Sequence, residues 1–362
     1  LNGTIASSND DITFGAITLA AATTLDTNAT DTTGDIIIGA VTGANNNLTL
    51  DTTTSTGSAD ITFNGDINLG TGALDVTGDV VLGANVTLTT TKSSGNGIII
   101  RDAVNADNAS SNDRTLTLNS GTGSAIFVSG TVGNSQALAG LTITQSNGVT
   151  FSSTVDVTDS NSGTITLTDT VDNANIIFSG NVTADNFVTA AQGYDIFFSG
   201  NATFANAVTF QNTGTLNLGN ATSDTLTFNG GVTESTGGTV TIAGAIVSSN
   251  DAISFGNINV GTNLLSVTSA GGAISIGTIS AASGSLDVTI TSSGGSANTV
   301  AVGAIGGSTN INTVAITSGT LTTLNGNITT DNSSGNSVTL VGTTTNGANI
   351  TIDTDNSSND GA

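Results

Sequence analysis

The side chains able to do chemistry in this sequence are almost all aspartates. Acidic residues number 27 against three basic ones, for a net charge of −24, and His and Cys are absent. Without them neither a Ser–His nor a Cys–His nucleophile can be assembled. Carboxylate-pair chemistry of the glycosidase kind needs two groups set apart by their surroundings. Glu234 is the only Glu, and no Asp pair is singled out. The chain is therefore expected not to be an enzyme. Aspartates can also take calcium through oxygen ligands, and the candidates are Asp10 and Asp11, then Asp353 and Asp355. The Gly-Gly-x-Gly-x-Asp repeat of calcium-binding β-rolls is absent. An isolated Asp in a turn more often caps backbone groups, so no cofactor is expected.

The three cations, Lys92, Arg101 and Arg114, fall close together, near Asp102, Asp107 and Asp113. One reading is local ion pairing in an irregular loop, each pair contributing about 0–1 kcal/mol. The other is a contact patch for an acidic neighbouring protomer. So few cations exclude nucleic acid as a partner, because phosphate binding needs clustered Lys and Arg. Anionic membrane surfaces are disfavoured for the same reason. No apolar stretch approaches the roughly 20 residues of a membrane helix. One Tyr and no Trp cannot build the aromatic girdles of a membrane barrel. No membrane span is expected.

The elements carrying these groups read as strands. Apolar residues alternate with Thr, Ser, Asn or Asp at period two, as in Leu116-Thr117-Leu118 and Thr164-Ile165-Thr166-Leu167-Thr168. Gly, Asn and Asp clusters break the pattern every few residues, and each break is a turn signal. Pro is missing altogether. Pro cannot donate to a ladder, so its absence suits a chain in which nearly every N–H is claimed by a neighbouring strand. Ser and Thr fill 108 of the 362 positions while only 8% of residues are charged, so hydroxyls must make up much of the surface.

Repetition sets the architecture. Ile12, Ile36 and Ile61 begin similar units, and so do Ile176, Ile196 and Leu216. Ile176-Ile177-Phe178-Ser179-Gly180-Asn181 returns almost unchanged as Ile196-Phe197-Phe198-Ser199-Gly200-Asn201. Spacings of roughly 18 to 27 residues, each holding two or three short strands, suit one coil of a parallel β-helix. At about 22 residues per coil the chain makes about 16 coils, stacked at about 4.8 Å. An antiparallel sandwich also accommodates short strands with Gly turns, but does not repeat one motif so often. The expectation is one continuous solenoid over residues 1–362. Phe127, Phe151, Phe178 and Phe198 recur about once per coil and are expected to stack as an internal ladder.

Ser7-Ser8-Asn9-Asp10 precedes Ile12-Thr13-Phe14-Gly15, and Ser248-Ser249-Asn250-Asp251 precedes Ile253-Ser254-Phe255-Gly256. The sequence stops at Ser357-Ser358-Asn359-Asp360, as though a further copy were beginning. It is therefore expected to be a segment or protomer of a longer fibre, growing by end-to-end continuation of the coil through its unpaired ladder groups.

The stretches Leu116-Thr117-Leu118-Asn119-Ser120-Gly121, Phe127-Val128-Ser129-Gly130, Leu138-Ala139-Gly140-Leu141-Thr142-Ile143-Thr144 and Val149-Thr150-Phe151 resemble the repeat regions of bacterial filamentous-haemagglutinin-type exoproteins. The resemblance implies a long secreted right-handed β-helix at the cell surface or in a matrix, acting in adhesion or aggregation. It supplies no catalytic residue. The right hand also follows from the general handedness of parallel crossovers. The expected partners are copies of itself, other cells or surface glycans, and the expected location is extracellular. A polysaccharide-binding or polysaccharide-cleaving β-helix is the alternative. Thr-x-Thr pairs such as Thr115 with Thr117 and Thr142 with Thr144 also raise ice binding, against which stand the unequal coil lengths, expected to scramble any regular Thr face.

Overall fold

The computed structural model describes the chain apart from residues 9, 29–32, 53–58, 108–113, 160–161, 237–239, 282–285, 296–297, 308, 310, 332–336 and 355–362. Among the described residues the protein is all-β, with no helix, and forms a parallel β-solenoid of about 13 turns. It groups into two compact units, Leu1–Tyr194 and Asp195–Ala362. In each, a turn lays down strands on three successive faces, and every face pairs in parallel with the same face of the next turn.

In the first unit the opening turn comprises Gly3–Ala6, Ile12–Phe14 and Ile17–Thr18. The next turn sets Thr23–Asp26, Ile36–Ile38 and Val41–Thr42 against them in the same order. The sequence repeat is thus the structural register: Ile12 pairs with Ile36, and Ile36 with Ile61. On the first face Leu48, Leu74, Ile98, Ile126, Val149 and Ile176 form one column. The advances along it are 26, 24, 28, 23 and 27 residues. All six side chains are buried, each contributing about 1.5–3 kcal/mol of apolar burial. Alternation does the rest: the residue between two inward ones points out, which is where Thr, Asn and Asp reside.

The second unit opens with Asp195–Phe198, Ala202–Phe204 and Val208–Phe210. Further on, the corner between its first and second faces tightens until one strand serves both, in Val240–Ser248 and again in Ile258–Ser269. The register shifts between Ile242 and Gly244, where the chain rounds that corner.

The turn count falls short of the sixteen coils expected for physical reasons. At Val132 in the first unit and Ile305 in the second, one face of a turn narrows to isolated bridges. The last described strand, Ile352–Asp353, begins a turn that the described residues do not complete.

Internal stacking is present but begins later than the Phe spacing implies. Phe151 lies on Phe178 with ring centroids 5.3 Å apart and planes 6° from parallel. In the second unit Phe204 stacks on Phe228 at 5.4 Å. Phe127 stays out of the ladder, because Val128 is the register partner of Phe151. The segment Ala125–Val128 is apolar at every position, so pattern alone leaves its parity open. The pairing of Ile126 with Ile98 decides it and turns Phe127 outward. Hydroxyls line the corners instead of apolar groups. Ser120 and Ser124 donate to one another's carbonyls at 2.6 and 2.7 Å, and Ser248, Ser269, Ser292 and Ser318 form a buried inner column.

Candidate functional surfaces

Most corner Asn and Asp residues are occupied with the backbone of the adjacent turn. Asp11 Oδ1 accepts from the Asp35 N–H, and Asp35 Oδ1 from the Asp60 N–H, both at 2.9 Å. Asp79 Oδ1 accepts from the Ala103 N–H at 3.0 Å. Asn85 does the same for Thr115, Asn201 for Thr225 and Asn327 for Thr351. A strand that starts at a corner has an N–H without a ladder partner, and the side-chain oxygen one turn away satisfies it. The signal was present in the sequence: Asp11, Asp35, Asp60 and Asp79 each stand directly before the first inward residue of a second-face strand. Single-residue reading missed it because the partner lies 20 or more residues away.

This arrangement accumulates charge. Asp60 and Asp79 are register partners on the second face of the first unit. Burial, then repulsion from Asp35 and Asp79, pushes the Asp60 carboxyl above its ordinary value. Asp60, Asp79, Asn105 and Asp107 line an open cavity of about 460 Å³. Among the described residues, no three acidic side chains are placed to hold a metal ion together. Of the calcium candidates, Asp11 is a backbone staple, and the Asp10 N–H donates to Ser7 Oγ at 3.0 Å. Asp353 pairs with Thr329 on the first face of the second unit. Asp355 lies outside the described residues, as does Asp113.

The three cations do not gather into one patch. Arg101 makes a two-pronged pair with Asp75 of the adjacent turn, Nε to Oδ1 at 3.1 Å and the terminal nitrogen to Oδ2 at 2.8 Å. Arg114 grips Asp107 in the same way at 2.9 and 2.8 Å. The Arg114 hydrogen bond, reinforced by its charge, pulls the Asp107 carboxyl below its ordinary value. Lys92 Nζ donates to the Asn96 carbonyl within its own loop. Each cation has a partner inside the chain, which is the geometry of local pairing.

Two outward surfaces carry more than single residues. On the first face of the first unit, Ile99, Phe127, Thr150 and Ile177 stand in one outward column. An open groove of about 380 Å³ runs along it, lined by Phe127 and Ile177 with Asn147 and Asn175. All of the column is half-buried.

Hydroxyls form the second kind of surface. In the first unit, Thr87, Thr117, Thr142 and Thr166 make one outward column on the third face. Its flanks are mixed: Thr89 pairs with Asn119, and Thr115 with Gly140. Thr144 falls at the register shift beside Asn119 and joins no column. In the second unit the second face is regular across two columns. Ser266, Thr289, Ala315 and Thr339 form one, and Thr268, Thr291, Thr317 and Val341 the other. Both extend to earlier turns through Ala245 with Val247 and Thr225 with Thr227. Coil length across this face varies, with Ser266 to Thr289 advancing 23 residues and Thr289 to Ala315 advancing 26, yet the register is unshifted. The expectation that unequal coils scramble a Thr face is therefore corrected: the extra residues are taken up at the corners and leave the ladder alone.

No family model, curated relative or solved structure matches the chain.

Proposed function

We propose that the chain is an extracellular structural or adhesive solenoid of the filamentous-haemagglutinin type, whose partners are its own copies, other cells or surface glycans. The observation that carries this reading is the repetition of outward columns. Thr87, Thr117, Thr142 and Thr166 present one chemistry at four successive levels, about 4.8 Å apart. A surface built this way offers many weak, equivalent contacts in place of one pocket, and such contacts accumulate by avidity. The acidic balance keeps a surface poor in charged residues soluble and discourages non-specific association. Electron microscopy of the native material, with an attachment assay on cells displaying the chain, tests the reading. Fibres and attachment severalfold above cells lacking the chain are expected. Dispersed monomers with no gain in attachment would overturn it.

A polysaccharide-binding role is the second reading, favoured by the first-face groove of the first unit. Phe127 and Ile177 offer apolar faces for sugar C–H groups, and Asn147 and Asn175 offer amides for hydroxyls. Affinity electrophoresis in neutral glycans should retard the native chain, and Phe127→Ala should remove most of the retardation. A mobility independent of glycan in the native chain counts against it.

A further inference from the structure

We propose that the second face of the second unit is an ice-binding surface, a function beyond the adhesive reading and independent of it. The ligand class follows from four observations. First, the face is periodic in two directions. Turn-to-turn neighbours such as Thr268 and Thr291 are register partners, about 4.8 Å apart, and alternate residues such as Thr289 and Thr291 are about 6.6 Å apart. A ligand that meets every position must itself repeat on that scale in both directions, as the water lattice on a face of hexagonal ice does. A single glycan strand repeats in one direction only.

Second, the chemistry is mixed within each side chain. Thr is stiff at χ1 because it is β-branched, so it holds a methyl and a hydroxyl in fixed relation. The methyls restrain water against the surface and the hydroxyls anchor it by hydrogen bonds. Third, the positions are uncharged. From the turn of Thr225 and Thr227 to that of Thr339 and Val341 the two columns hold Thr, Ser, Ala and Val alone. A fixed charge orders water around itself and opposes a lattice. The nearest carboxylate on the strand, Asp287, is drawn to the rim by Asn312 Nδ2 at 2.9 Å and Thr313 Oγ1 at 2.6 Å. Fourth, the ladder stays in register although the coils differ in length. The buried Ser269, Ser292 and Ser318 column lies along the edge of this face and ties the corner, with Ser292 Oγ donating to the Gly272 carbonyl at 2.7 Å.

The test is uptake of the fluorescently labelled full chain into a slowly growing ice hemisphere, with growth shape of single ice crystals read alongside. The native chain is expected to enter the ice and to facet the crystals. Thr291→Lys, at the centre of the face, is expected to lower uptake at least tenfold. Thr142→Lys, on the third face of the first unit, should leave it unchanged. Circular dichroism reports folding. Should Thr291→Lys lose β structure, Thr291→Val, which keeps shape and removes only the hydroxyl, is read instead, with a severalfold loss expected. Exclusion of the folded native chain from ice, as for an ordinary soluble protein, would overturn the proposal. So would uptake that the folded Thr291 variants leave intact. A chain that forms fibres or attaches cells while excluded from ice would sink this inference alone, and an ice-binding chain without attachment would sink only the adhesive reading.

Discussion

The second face of the coil is composed differently in the two units. In Leu1–Tyr194 it starts each strand with an aspartate, Asp11, Asp35, Asp60 and Asp79, and its outward column then reads Thr13, Ile37, Thr62, Val81 and Asn105. In Asp195–Ala362 the same face carries two neutral columns of Thr, Ser, Ala and Val. Underneath, the two are alike: Ile12, Ile36 and Ile61 point inward in one, and Val267, Ile290 and Ile316 in the other. The first unit also holds 18 of the 27 acidic residues and all three cations, and the second unit nine acidic residues and no cation. The inward half of the pattern specifies the solenoid, and the outward half is free to vary. A surface chemistry can therefore change from one region to another at almost no cost to the fold.

If that is right, the largest effects should come from the core and be alike in both units. Phe178→Ala removes a buried ring stacked on Phe151 and should cost about 3–5 kcal/mol. Ile290→Ala, fully buried in the second unit, should cost about 2–5 kcal/mol. Native-state hydrogen exchange should report each loss in the turns around the substitution, because a solenoid's contacts are nearest-neighbour. A loss much larger in one unit would mean that the inward halves are not equivalent.

A smaller effect should follow from writing the first unit's chemistry onto the second. Thr268→Asp combined with Thr291→Asp puts like charges on register partners. Like charges directly opposite are destabilising, with pair effects on the order of 0.2–1 kcal/mol. A region of this size then melts about 1–4 °C lower. Added salt should restore most of the difference by screening, read as the melting temperature by circular dichroism at low and high salt. A salt-independent loss would point to packing and not to charge as what separates the two faces.

Much of this was legible in residue types and spacing. Strand class, parallel stacking and the 24- and 25-residue steps from Ile12 to Ile36 to Ile61 followed from period-two alternation and repeats. The parity of Phe127 did not, because Ala125-Ile126-Phe127-Val128 is apolar on both sides and only pairing with the previous turn decides it. The staples were hidden for a related reason. An Asp before an Ile reads as a turn residue, and its use depends on an N–H in another turn. The regularity of the Thr face was obscured by coil length, since counting residues per turn mixes ladder with corner.

The cation-bearing pair sharpens the comparison from the other side. Arg114→Ala should release Asp107, whose carboxyl is held below its ordinary value by that guanidinium. A depressed folded-state pKa gives stability that is present above the unfolded value, 3.8, and lost as pH falls through the folded one. The variant should therefore lose up to about 1 kcal/mol at neutral pH and differ less and less from the native chain as acid titrates Asp107. A constant difference from pH 7 to pH 2 would assign the loss to the arginine's packing and not to its charge.

The smallest effect should come from Asp60, and its sign is opposite. Its carboxyl is pushed up, first by burial and then by Asp35 and Asp79. A raised folded-state pKa means that the folded chain holds the proton more tightly, so the charged form costs stability as pH rises through that value. Asp60→Asn should then stabilise the first unit at neutral pH by less than about 0.5 kcal/mol, since the group is partly exposed and screened, or about 1 °C. The gain should vanish below the ordinary value of 3.8, where the native side chain is already neutral in both states. Melting curves at pH 7 and pH 3 measure it, and salt should narrow the gap at pH 7 only. The neutral face of the second unit has no carboxylate column to relieve, and Thr289→Asn there should bring no matching gain. A similar gain would place the benefit in the amide itself and remove like-charge strain as the feature dividing the two faces.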